Sequence, residues 1–151
     1  MSNPTLSAPK ISVGGTTSEI THLTFINGNG GVGQIKSQNT TTSYVTSSDY
    51  RLKENVVTDW DATTRLKQLK PSRFNFKTDK ATTMDGFLAH EVSSIVPEAI
   101  TGEKDAVDED GNIDPQGIDQ AKLVPLLTKA LQEAISEIDT LKEKVTALES
   151  K

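Results

Sequence analysis

The sequence predicts an α+β protein with a short β-rich stem, a small mixed domain and a C-terminal parallel coiled-coil helix. Three observations predict it. Residues 1–47 are rich in Gly, Ser, Thr and Asn and carry short alternating apolar runs. Residues 48–119 mix strand-like and helix-like periods. Residues 120–151 hold a heptad repeat that begins at Val124.

Composition narrows the possibilities. Of 151 residues only 34% are apolar, with four Phe, two Tyr and one Trp. That is thin for one large core, so either part of the chain is extended or subunits share hydrophobic surface. Cysteine is absent, which excludes disulfides and thiol chemistry. No stretch has the apolar length of a membrane span. The opening "MSNPTLSAPK" lacks an apolar h-region and does not read as a signal peptide. The net charge is −5 and no basic stripe interrupts it, which argues against a nucleic-acid partner. No membrane partner, metal or cofactor is expected.

In the stem, Ile20 to Phe25 and Val32 to Ile35 alternate. Asn27-Gly28-Asn29-Gly30-Gly31 lies between them, and Gly and Asn tolerate the positive φ of tight turns. A hairpin of two strands follows, too small to be stable alone. Polar β-chain of this kind suits a fibre shaft completed by strands of neighbouring chains. The Gly-rich piece lacks the lysine and following helix of a phosphate loop.

The middle part predicts a short helix capped at Thr58 or Asp59, with Trp60, Leu66 and Leu69 facing a core and Pro71 ending it. "SRFNFKTD" alternates as a strand. Asp85-Gly86 reads as a turn, followed by Phe87, Leu88, Val92, Ile95 and Val96 on one helical face that Pro97 closes. Residues 103–119 carry seven acids against one lysine. Asp108, Asp110, Asn112 and Asp114 alternate as in a calcium loop. Counted from Asp108, however, the sixth and twelfth places hold Ile113 and Asp119 rather than Gly and Glu. The competing reading is a hairpin turned at Asp110-Gly111.

Val124, Leu127, Leu131, Ala134, Ile138, Leu141, Val145 and Leu148 recur at alternating steps of three and four. This is the rhythm of a coiled coil. Val124, Leu131, Ile138 and Val145 take position a; the others take d. Glu137 could meet Lys142 of a parallel neighbour, and Lys144 could meet Glu149. Pro125 fits the first turn, where a missing N–H costs nothing. The alternative is a single amphipathic helix lying on its own domain.

The stretch "TSSDYRLKEN", Thr46 to Asn55, raises a chemical question. A hydroxyl is a poor nucleophile until something takes its proton, and a lysine can do so when burial favours its neutral form. Ser48 and Lys53 would lie roughly 16 Å apart in an extended strand. Only a bend within Asp49 to Leu52, or a lysine from a neighbouring chain, brings the two groups together.

"SSDYRLKENV", Ser47 to Val56, resembles the opening motif of the peptidase S74 family. These are C-terminal intramolecular chaperone domains of phage tailspikes, tail fibres and endosialidases. "LKQLKPSRFNFK", "DGFLAHEVSSIVPEAI" and the segment Gly117 to Glu149 resemble the family's later blocks in order. "FINGNGGVGQIKS" resembles the fibre end that often precedes them. His90 stands where the family often has Gln, and Gln120-Ala121 where an aromatic often precedes the K-L pair.

The resemblance implies a homotrimer whose partners are its own copies and the upstream fibre or tailspike region of the same polypeptide. It implies a self-cleaving serine endopeptidase that acts once, with Ser48 as nucleophile and Lys53 as base. The cut falls between Ser47 and Ser48 and releases residues 48–151. Ser48 rather than Ser47 is assigned because it directly precedes Asp49. Asp49 and Arg51 are candidates for bending the loop and holding charge, or else are surface residues beside a turn. The mature fibre would reside in the virion and the released fragment in the host cytoplasm. A permanent, non-cleaving trimerisation cap is the alternative. His90 and His22 are each either a base or a satisfied polar neighbour. A receptor-binding tip is disfavoured by the few aromatics, and the stem lacks the paired carboxylates of a glycosidase.

Overall fold

The structure is a computed structural model that describes residues 16–150. The first fifteen residues of the stem lie outside the described residues. The chain divides into two compact units, one ending at Val57 and the other beginning at Thr58.

The first unit holds an antiparallel three-stranded sheet, β1 (Ile20–Asn27), β2 (Gly30–Gln38) and β3 (Thr41–Thr46), in the order β1-β2-β3. Gly28 and Asn29 turn the first hairpin, and Gly30 takes a φ of +92° that a side chain would strain. The expected pair of strands is therefore a triplet. The added strand, "TTSYVT", is a run of β-branched and aromatic residues reached through a second tight turn. Asn39 makes that turn with a φ of 49°. No residue of these strands is buried, and Leu23, Phe25, Ile26, Tyr44 and Val45 are exposed.

The second unit is α+β. Its helix α1 (Ala62–Leu66) is capped by Asp61, whose carboxylate accepts from the Thr64 N–H. The cap is thus Asp61 rather than Thr58 or Asp59, and Ala62 in the first turn is buried. Strands β4 (Ser72–Phe76) and β5 (Asp79–Gly86) form a hairpin that turns at Lys77-Thr78. This overturns the Asp85-Gly86 turn. Both residues lie in β5, where Gly86 faces Ser72 and Asp85 faces Arg73. The Arg73 guanidinium grips the Asp85 carboxylate through two hydrogen bonds of 2.7 and 3.0 Å, a cross-strand pair that holds the dipeptide extended.

The helical face expected from Phe87 to Val96 is also shorter. Helix α2 covers only Ala89–Val92, and Pro97 opens a 3₁₀ turn, Pro97–Ala99, instead of closing a helix. Val92 and Val96 are buried and Phe87 and Ile95 pack beside them, but Leu88 points outward. Short strands β6 (Ile100–Thr101) and β7 (Gly117–Ile118) flank the acidic loop. Within it the chain turns at Asp108–Asn112, Gly111 has a φ of +81°, and Val107 bridges Ile113.

Helix α3 (Val124–Glu149) follows a 3₁₀ turn over Gln120–Leu123 and carries Pro125 in its first turn. Its first three turns complete the core. Ala62, Val92, Val96, Ala99, Leu123, Leu126 and Ala130 are buried together, with Trp60, Leu66 and Leu69 beside them. Leu126 and Ala130 lie one turn apart on one face. The heptad stripe occupies a different face, and seven of its eight residues are exposed large hydrophobics.

Candidate functional site

The segment around Ser48 is built from a strand end and a turn. Pairing of β2 with β3 ends at Gly33 and Thr46. One further hydrogen bond, from the Ser47 N–H to the Val32 carbonyl at 3.2 Å, ties the next residue to the sheet. Beyond it the chain folds into a 3₁₀ turn over Tyr50–Leu52, capped by Asp49. The Leu52 N–H donates to the Asp49 carbonyl and the Lys53 N–H to the Tyr50 carbonyl, both at 3.1 Å.

This turn falls where the sequence requires a bend. Lys53 Nζ lies 2.8 Å from Ser48 Oγ. The separation suits a hydrogen bond in either direction. An ammonium only donates, whereas a neutral amine can accept the serine proton. Ser48 and Lys53 are both exposed in the single chain. Tyr50, Leu52, Val56 and Val57 around them are large, apolar and exposed as well.

Asp49 and Arg51 form a local pair. Asp49 Oδ1 accepts from the Arg51 backbone N–H at 2.9 Å and from Arg51 Nε at 3.0 Å, and Oδ2 accepts from the guanidinium at 2.6 Å. The guanidinium, and then the backbone N–H, hold the Asp49 carboxyl below the ordinary aspartate range; the carboxylate in turn raises Arg51.

The other candidates lie elsewhere. His22 is the extra residue at a register shift in β1, and its Nε2 is 2.7 Å from Ser37 Oγ. His90 lies on α2 in the second unit, lining an open cleft with Lys67, Lys70 and Glu91. In the acidic loop, Asp108 turns its carboxylate onto the backbone N–H groups of Asn112 and Asp110. Those N–H groups and the Asn112 side chain lower its titration below the ordinary range. Among the described residues no group of three or more His, Asp or Glu side chains is placed to hold a metal ion.

One polar junction escapes sequence reasoning. Glu133 on α3 accepts from the Ala62 N–H at 3.1 Å, the Thr63 N–H at 2.8 Å and the Thr63 hydroxyl at 2.6 Å. It satisfies first-turn donors of α1 that have no helical partner. No local signal announces it, because donor and acceptor are far apart in the chain.

Residues 48–101 match the peptidase S74 family, described as the chaperone of endosialidase. The match begins at Ser48 and supports a chaperone domain of a phage tail-fibre or tailspike protein, with a catalytic lineage. No curated protein matches the chain.

Proposed function

We propose that this chain is an intramolecular chaperone that assembles as a homotrimer. It brings a phage fibre or tailspike into register, then releases residues 48–151 by serine-dependent cleavage between Ser47 and Ser48. The observation that carries the reading is the 2.8 Å approach of Lys53 Nζ to Ser48 Oγ, at the first residue of the family match.

The chemistry needs no external reagent but water. Ser48 Oγ attacks the Ser47 carbonyl carbon while Lys53, as a neutral amine, takes the hydroxyl proton. The tetrahedral adduct collapses by breaking the Ser47–Ser48 C–N bond, and the proton on Lys53 passes to the departing amine. The product is an ester of Ser47 on the Ser48 oxygen. Water then hydrolyses it to a Ser47 carboxylate and a free Ser48 hydroxyl.

Assembly supplies the control. Burying an amine against neighbouring copies favours its neutral form. The exposed apolar side chains around the turn and the stripe on α3 are surface that neighbours would cover. The finished fibre then belongs to the virion, and the released fragment stays in the host cytoplasm.

The test is denaturing gel mass with N-terminal sequencing after expression of the whole chain. Wild type should yield a fragment opening Ser-Asp-Tyr. Ser48→Ala should abolish it and Ser47→Ala should not. A second reading, a permanent non-cleaving cap, draws on the exposure of Ser48 and Lys53 in the single chain. It prevails if the assembled wild type stays whole.

A further inference from the structure

We infer that Asp49 is a positioning residue for this cleavage, and that Arg51 acts through it. The Asp49 carboxylate fastens the turn that carries Lys53 to Ser48. The inference rests on the reading of Ser48 as nucleophile and adds what makes its pairing with Lys53 persist.

The backbone of the turn supplies few bonds of its own. It is a single 3₁₀ turn, closed by two backbone hydrogen bonds of 3.1 Å. Isolated turns of this kind have poor hydrogen-bond geometry and little cooperativity. If the turn opens to an extended strand, Ser48 and Lys53 move to roughly 16 Å apart, beyond the reach of the amine. Whatever holds the turn therefore sets how often the base meets the hydroxyl.

Asp49 is the residue that holds it. Its Oδ1 caps the Arg51 N–H at 2.9 Å, and the Arg51 fork grips both carboxylate oxygens. An aspartate cap satisfies an otherwise free donor, and a two-point guanidinium contact fixes the orientation of the cap. Among the described residues, the hydrogen bonds from the Arg51 side chain go to Asp49 and not to Ser48 or Lys53. On the other side of the proposed cut, Ser47 is tied to Val32 of the sheet. The bond to be broken is thus held by the strand on its acyl side and by the Asp49 turn on its amine side.

The experiment follows cleavage of the full chain over time on denaturing gels, across a range of pH. Asp49→Ala should slow the cut by about 10- to 100-fold, the scale on which misplacement of a reacting group acts. Above the aspartate range, where the Asp49 carboxylate is charged, the factor should not change with pH, because Lys53 is still the base. Asp49→Asn should recover part of the rate, since its amide oxygen still accepts from the Arg51 N–H. Arg51→Ala should slow the cut less than Asp49→Ala, and the double variant should be no slower than Asp49→Ala alone. Wild-type speed in Asp49→Ala overturns the inference, as does a double variant whose losses multiply. A direct readout needs no cleavage. In uncleaved Ser48→Ala, nuclear Overhauser contacts between the residue 48 methyl and the Lys53 side chain should be present, and Asp49→Ala should remove them. Persistence of those contacts also overturns it. Cleavage that survives Ser48→Ala would instead overturn the nucleophile assignment, so the two failures are distinct.

Discussion

Glu133 reaches across the second unit to take three hydrogen bonds from the start of α1. The Thr63 hydroxyl and then the Ala62 N–H hold its carboxyl below the ordinary glutamate range. A depressed carboxyl stabilises the fold above its unfolded titration range and ceases to do so as pH falls through its folded value. Glu133→Gln should therefore melt below wild type at neutral pH. The gap should narrow as the buffer is taken below the ordinary glutamate range. Thermal melts by circular dichroism at several pH values check this; a gap that stays constant into strong acid would remove the ionic contribution. At this scale the sequence was only partly legible. The types of Ser48, Asp49, Arg51 and Lys53 stand out through a family motif, but spacing alone leaves Ser48 and Lys53 far apart. Glu133 has no signal at all, because a helix on one side and a cap on the other are joined only by the fold.

Elements were legible where their period is local. The α3 heptads need no tertiary information, and α3 runs through all eight heptad positions from Val124 to Leu148. Asp-Gly at 85–86 misleads because a favoured turn dipeptide yields to a longer ladder, in which Asp85 gains Arg73 and Gly86 lies under Phe74. Helix α2 is cut short because a single turn plus an irregular segment already brings Phe87, Val92, Ile95 and Val96 to the core, while Leu88 stays outside it. Strands β6 and β7 are too short to show any alternation, yet their pairing is tight. A Cβ added to Gly117 would lie 2.8 Å from Thr101 Oγ1. Gly117→Ala should cost about 1–3 kcal/mol, the range for overpacking. Adding Thr101→Ala should restore most of it, because the clashing hydroxyl is gone. Urea midpoints of the single and double variants check the pair.

At the scale of the whole molecule, α3 has two apolar faces, one buried in its own unit and one exposed. Leu126 is 2% exposed in the core of its own unit, whereas Ile138 in the heptad stripe is 49% exposed. Leu126→Ala should lower the stability of the unit by about 2–5 kcal/mol, the cost of emptying a leucine site. Ile138→Asp should leave the fold of the unit intact and reduce oligomer mass, because a charge in a heptad seam opposes association. Sedimentation paired with thermal melting separates the two effects. An Ile138→Asp chain of unchanged oligomer mass would show that another surface makes the seam.

The tie between Ser47 and Val32 bears on what the reaction would leave behind. Ser47 is the last residue hydrogen-bonded to the sheet, and the Asp49 turn begins just beyond it. The proposed cleavage would leave the sheet ending at its last hydrogen-bonded residue, with no free tail beyond Ser47.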